Sequence, residues 1–511
     1  MSAISQKKAG AILQYVQMAL SICISLVYTP IMLNILGQSE YGLYSLASST
    51  ISYLSLFSLG FSSSYLRFYS RFKTKNDDES IRRLNGMFLV VFLLLAALVV
   101  FSGLVIASNI QRLNLDGYSA SDLNLLKVLM LFMTFNMALS FPTSLFTSYI
   151  SSQERFVFQK VINIGKTVVG PMLTLPALLL GYGSVGMVIV TTIVTIVIDV
   201  SNIYYCFFRL NMRIVVGKIN VPLFKEIALF SLFLAINQVT NQLNWESGKL
   251  ILGVMEGSKS VAIYTVAITI NNMYMNFSQS ISSVFAPQIN LIVAKNRPDC
   301  DKVLTELFVK VGRIQFLLMM LILTGFIFFG EYFVLQWAGD GYYEAYYIAL
   351  LMIMPTTIPL IQNIGLEIQR AKNKHQFRSI VYLIMAILNV FISIIACKIG
   401  GTIGVAMGIA ITFIFAHGLI MNIYYQKRLG INVARFWKQI IRIIAGILPA
   451  IVAGGVITHY IAFSSMVEYL MFIMIYVVIY SICAWILAMN AYERDLIKKP
   501  IRMICGRLRY L

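Results

Sequence analysis

The sequence predicts an all-α polytopic membrane protein of fourteen transmembrane helices, built as two parallel-repeat six-helix lobes with two further helices appended. Three observations predict it. Of the 511 residues, 59% are hydrophobic and only 12% charged, about half the charge of a soluble domain. The apolar residues fall in runs that reach the roughly 20 residues one bilayer crossing needs. The basic residues gather in short clusters between those runs, as they do in cytoplasmic loops.

The spans fall at about 10–35, 42–66, 85–107, 123–150, 161–181, 184–208, 226–254, 261–291, 312–330, 344–368, 379–398, 402–425, 440–462 and 468–490. Span 1 follows Lys7 and Lys8 and is too long for a cleaved signal peptide, with no small-residue cleavage site after it. It is expected to stay as an anchor. With both termini placed inside, 34 of the 40 Lys and Arg residues lie in inner segments. Outer loops hold Arg112, Lys259 and Lys398, and the spans hold Lys127, Lys166 and Lys249. One miscounted span would destroy this asymmetry, which sets orientation.

The net charge of +19 would suggest nucleic acid if it formed one patch; dispersed among loops, it argues for no nucleic-acid partner. The basic tail (Arg494, Lys498, Lys499, Arg502, Arg507, Arg509) and Phe436-Trp437-Lys438 are expected to lie on anionic lipid. Cys23, Cys206, Cys300, Cys397, Cys483 and Cys505 share no metal spacing. No metal or cofactor is expected. All outer loops are short, so whatever the chain does takes place within the bilayer.

An internal repeat of near-constant offset supports the two lobes. Gly37, Tyr44 and Ala47 are answered by Gly257, Tyr264 and Ala267, Phe158 by Phe377, and Gly186 by Gly404. Six spans per unit make both units enter the membrane in the same direction, and such parallel repeats place a substrate site between lobes. The expected boundaries are 1–215 for the first lobe, 216–435 for the second, and 436–511 for spans 13 and 14 with the tail.

Spans 3 and 14 are nearly plain hydrocarbon and are expected to face lipid. Spans 1, 2, 7 and 8 are not plain. Span 2 is rich in serine, and span 7 carries Asn237, Gln238, Asn241, Gln242, Asn244, Glu246 and Lys249. At about 100° per residue, Gln238, Gln242 and Lys249 share one face of a continuous helix, with Asn237, Asn241 and Asn244 beside it. A polar arc of this breadth points to a wet cavity; for the serines of span 2, helix-to-helix glue is an equal alternative.

Intramembrane charges sharpen the reading. Lys166 and Asp199 both fall in the inner third of the first lobe, where they can pair. Lys127 lies just inside span 4, where it can snorkel, while Arg67 and Arg313 sit at the inner ends of spans 2 and 9. Glu367 and Arg370 close span 10, where Pro355 and Pro359 allow a bend, and His417 is central in span 12. The substrate-binding candidates are therefore Lys249, Lys166, Lys127, Arg67, Asn237, Gln238, Asn241, Gln242 and Asn244. Glu246 and Asp199 are candidates for ion coupling or gating. A cationic, low-dielectric pocket attracts an anion, with phosphate or diphosphate the obvious class.

The turn Leu36-Gly37-Gln38-Ser39-Glu40-Tyr41-Gly42-Leu43-Tyr44 and Ser58-Leu59-Gly60-Phe61 before Arg67 resemble the opening of bacterial Wzx-type polysaccharide flippases. These belong to the polysaccharide-transporter branch of the multidrug/oligosaccharidyl-lipid/polysaccharide (MOP) superfamily. Gln153-Glu154-Arg155-Phe156 and Leu252-Gly253 through Gly257 to Ile263-Tyr264 look like later landmarks of that family. The resemblance implies two six-helix lobes facing each other in a V. It also implies flipping of a polyprenyl-diphosphate-linked oligosaccharide from inner to outer leaflet of the bacterial plasma membrane. Relatives often carry an acidic residue just before the Leu-Gly of span 7; here Ser247-Gly248-Lys249 stands, with the carboxylate at Glu246. The expected partners are membrane lipids, the lipid-linked glycan and glycan assembly or polymerisation proteins.

A lipid II flippase or a drug or metabolite exporter of the same superfamily is the alternative. A membrane glycan polymerase or ligase is more remote, since such enzymes display catalytic groups on large outer loops that this chain lacks.

Overall fold

A computed structural model of the chain describes residues 3–112, 117–217, 220–282, 285–295, 298–374, 376–461, 463, 465–496 and 498. Among the described residues there is no strand. Cys505 and four members of the basic tail, Lys499, Arg502, Arg507 and Arg509, lie outside them.

Among the described residues, eleven segments are long and apolar enough to cross a membrane, and the chain is a multi-pass membrane protein. Two of the eleven are far longer than one crossing takes: Ile12–Lys73, with 62 residues, and Gln376–Leu429, with 54. Each is broken at glycine. Helix α1 (Ala3–Ser52) turns at Gly37, where φ is 69°, a left-handed value that costs a glycine nothing. A 3₁₀ turn (Tyr53–Ser58) and the left-handed pair Leu59 and Gly60 then lead into α2 (Phe61–Lys73).

Next come α3 (Asp78–Asn109), capped by Asp77, α4 (Ala120–Ser152), with a Ser119/Asp122 capping box, α5 (Phe156–Leu179) and α6 (Gly183–Tyr204), closed by a π turn. The seventh apolar run is two helices, α7 (Val221–Trp245) and α8 (Ser247–Met255), which meet at Glu246. The eighth is α9 (Ser258–Ser282) followed by α10 (Ala286–Ala294). Then come α11 (Cys300–Ala338), α12 (Glu344–Ile361), α13 (Asn363–Ala371) and α14 (Gln376–Phe413), which turns at Gly400 and Gly401. After a π turn (Ile414–Ile420) come α15 (Met421–Leu429), α16 (Val433–Tyr460) and α17 (Met466–Cys483), which runs into a last π turn (Ala484–Ala488).

The chain forms two compact units. The first comprises Met1–Ile268, Trp337–Glu344 and Ser379–Ile409; the second comprises Thr269–Gln336, Ala345–Arg378 and Ala410–Leu511. In the first, α1 packs on α5 and α4, and α3 on α4. Leu93, Leu94, Leu98, Phe101 and Leu104 of α3 are exposed, the composition of a lipid-facing side. The core between α2 and α3 holds Tyr65, whose hydroxyl donates to Asn85 Oδ1 at 2.6 Å, while Asn85 Nδ2 donates to the Arg213 carbonyl at 2.9 Å. Thus a buried amide stitches α2, α3 and the loop after α6 together.

A buried ion pair ties the second unit together. Arg313 is 4% exposed and grips both oxygens of Glu493, at 2.6 and 2.9 Å, with further bonds to the Gln439 and Ala488 carbonyls. Arg313, which the sequence places at the inner end of span 9, is thus a buried and paired cation. Its guanidinium is desolvated and fully engaged, fastening α11 to α16 and the segment after α17.

Candidate functional site

All eleven candidate residues belong to the first unit, so their mutual geometry can be read directly. Its basic end carries the C-terminal ends of α2, α4 and α6 and the first turns of α3, α5 and α7. The opposite end carries the turns at Gly37, Gly183, Gly257 and Gly401.

Between them runs a hydroxyl- and amide-lined seam where α1 and α2 meet α7 and α8. Ser49 donates to the Glu246 carbonyl at 3.0 Å, Tyr53 to the Gln242 carbonyl at 3.5 Å, and Ser58 to Gln238 Oε1 at 3.3 Å. The Gln242 amide donates to the Ser52 hydroxyl, and the buried hydroxyls of Ser64 and Ser231 meet at 2.6 Å. Gln238 and Gln242 thus engage the serines that precede α2, by the gluing role held open for that serine run. Asn237 and Asn241 on the neighbouring face are exposed, and Asn237 Oδ1 accepts the Ser379 hydroxyl at 3.2 Å. Asn244 is half-buried.

At Glu246, where α7 passes into α8, the backbone keeps right-handed helical angles (φ −106°, ψ −22°). Lys249 donates to Glu246 Oε2 at 2.8 Å in a pair largely withdrawn from solvent. Arg67 is exposed, its guanidinium 4.2 Å from the centre of the Phe230 ring, a cation–π contact. Lys166 is exposed and Asp199 half-buried; they are electrostatic neighbours, with Thr143 also beside the carboxylate, but form no direct ion pair. Lys127 is half-buried near the start of α4.

At the basic end the structure adds what the sequence reading missed. A cavity of about 660 Å³ is lined by Arg71, Arg83, Ser80, Asn220 and Glu226 among others. Arg71 Nη1 donates to both Glu226 oxygens at 3.0 Å, and Arg83 pairs with Glu79. Both pairs are half or more exposed, and pairs of this kind hold with no more than about 1 kcal/mol. An incoming anion can take either guanidinium from its carboxylate at little cost. The 67–83 basic cluster was the available signal; it read as an ordinary loop because its partner, Glu226, lies far away in sequence.

At the opposite end the turns lock together. The Ser39 and Ser258 hydroxyls lie 3.0 Å apart, and Gln38 Nε2 donates to the Gly341 carbonyl at 2.7 Å. A β-carbon on Gly42 would lie 1.8 Å from the Ser258 carbonyl oxygen, so only glycine permits this approach. Glu40 Oε1 accepts the Ser184 backbone N–H at 2.6 Å, capping α6 from a distant turn. Glu256 Oε2 likewise accepts the Thr402 hydroxyl at 3.1 Å, just after the break in α14.

Residues 8–293 match the family model described as polysaccharide biosynthesis protein. No curated protein matches the chain by sequence. Among solved structures, the lipid II flippase MurJ in its inward closed conformation is similar with a TM-score of 0.68 and 16% identity, over 96% of this chain and 99% of that one. An inward-facing multidrug resistance MATE family transporter of the MOP superfamily gives 0.57 and 14%, over 84% and 99%. A MATE transporter from Vibrio cholerae gives 0.54 and 14%, over 84% and 99%. At these identities the likeness is one of fold. With the family model covering more than half of its length, the chain belongs to the polysaccharide biosynthesis protein family.

Proposed function

We propose that this chain flips a polyprenyl-diphosphate-linked oligosaccharide from the inner to the outer leaflet of a bacterial plasma membrane, by alternating access. One observation carries the reading: in a polysaccharide-biosynthesis transporter, the basic end opens a 660 Å³ cavity onto two guanidiniums held only by exposed carboxylates. Arginine forks match phosphate oxygens bidentately, so Arg71 and Arg83 receive the diphosphate. Asn237 and Asn241 offer amides to the sugars, while the polyprenyl tail stays in lipid. The Lys249–Glu246 pair and the Lys166–Asp199 neighbours serve as charge elements that rearrange as the seam opens.

The same reading takes fourteen crossings with both termini cytoplasmic, and lobes at 1–215 and 216–435. Two of the eleven apolar segments are double-length and broken at glycine, and α9, less apolar than the others, supplies a further crossing. The paired caps Glu40–Ser184 and Glu256–Thr402 fit two lobes of one plan. The test is a deletion strain. Accumulation of lipid-linked glycan inside, loss of surface glycan and unchanged drug tolerance are expected. Accumulated lipid II would transfer the assignment to that substrate, and altered drug tolerance with normal glycan would overturn it.

A further inference from the structure

A second cavity, of about 540 Å³, lies wholly within the first unit near its basic end, where α2, α4, α5 and α6 converge. Its lining carries polar side chains but no charged one: Ser63 from α2, Ser148 and Ser151 from α4, Asn163 from α5 and Asn202 from α6. Its volume lies in the range of small-molecule sites and exceeds what a few ordered waters occupy, at about 30 Å³ each.

Two lining groups are unusual. Ser148 and Asn202 are 7% and 5% exposed, and no hydrogen bond among the described residues uses either side chain. Buried polar groups are nearly always partnered, and inside a bilayer an unmet amide is costly. Both line the cavity and neither polar tip is sealed from it, so whatever fills the cavity can partner them.

The chemistry of the lining selects that partner. An anion would require a cation in the wall and a cation a carboxylate; the wall has neither. Hydroxyls and carboxamides both donate and accept, which suits a polyhydroxylated neutral group, and Leu66 and Ile162 supply apolar surface for the C–H face of a ring. The cations stand outside: Arg67 one helical turn beyond Ser63, and Lys166 three residues beyond Asn163.

We propose that this cavity is a sugar subsite, which takes the sugar nearest the diphosphate once Arg67 and Lys166, at its rim, take over the phosphates that Arg71 and Arg83 first receive. The proposal rests on the flippase reading and names the part of the substrate that this pocket recognises.

The test compares two probes on the full-length protein in nanodiscs: undecaprenyl diphosphate carrying a single N-acetylhexosamine, and undecaprenyl diphosphate alone. Wild type is expected to bind the glycosylated probe about tenfold more tightly, the worth of one or two net hydrogen bonds. Asn202→Leu should abolish this preference while affinity for the bare diphosphate is kept. Ser63→Ala, at an exposed position, should reduce it by severalfold and serves if Asn202→Leu does not fold. Equal wild-type affinity for both probes, or a preference that survives these substitutions, overturns the subsite and leaves the flippase reading intact. Failure of wild type to bind either probe overturns both.

Discussion

The hydroxyls of Ser39 and Ser258 face each other at 3.0 Å, across turns 219 residues apart in the chain. If these turns part when substrate leaves, fixing them stops transport. In a background without other cysteines, the double variant Ser39→Cys/Ser258→Cys should crosslink under mild oxidant and lose surface glycan. Reductant should restore it. Gel mobility and glycan staining read the two halves of this prediction, and full export from crosslinked protein would refute it.

Glu40 and Glu256 each reach a distant helix start from a turn between helices. Glu40→Ala should cost about 0.5–2 kcal/mol, the worth of a lost cap, helped by the attraction of a carboxylate to a helix N-terminus. Thermal unfolding in detergent measures it. Glu40→Gln should retain part of the effect, since its amide oxygen still accepts the Ser184 N–H.

Breaking the Arg313–Glu493 pair from one side strands a buried charge. Arg313→Gln should destabilise by about 3–5 kcal/mol. The double variant Arg313→Met/Glu493→Leu should recover most of that loss, because two apolar side chains leave nothing to desolvate. A double-mutant cycle on unfolding midpoints checks both statements.

The Lys249–Glu246 pair separates structural from transport roles. Lys249→Gln should cost about 1–3 kcal/mol by leaving Glu246 short of a partner. Adding Glu246→Gln should restore stability but not surface glycan. Normal glycan in the stable double variant would make the pair structural only.

Asp77 caps α3 and accepts both the hydroxyl and the backbone N–H of Ser80, at 2.6 and 2.9 Å. These bonds, the hydroxyl's first, hold its carboxyl below the usual carboxylate range. A depressed folded pKa stabilises above the unfolded value, about 3.9, and that contribution is lost as pH falls through the folded one. Melting midpoints should therefore be insensitive to this group at neutral pH and decline below about pH 4. Asp77→Asn should remove that part of the decline.

The helical character, the polar seam and the basic clusters were legible in the sequence because hydrophobic run length and composition report them locally. Gly37 and Gly401 announced their turns by residue type. The junction of α7 and α8 at Glu246 had no such sign: Trp245-Glu246-Ser247 contains neither glycine nor proline. The pairing of Arg313 was hidden for another reason. Its partner stands 180 residues away, and nothing periodic links positions so remote. Ser148 and Asn202 look like ordinary helix residues until the fold leaves both without a bond.

The contacts along the line from Ser49 to Ser64 are nearly all between neutral groups, and the charged pair nearest its basic end, Arg71–Glu226, is already half in water. Each neutral bond exchanges with water for about 0.5–1.5 kcal/mol net, so separation never isolates an ion in hydrocarbon. A zipper of this composition yields tooth by tooth, and its release force is set by the number of hydroxyls rather than by any single strong latch.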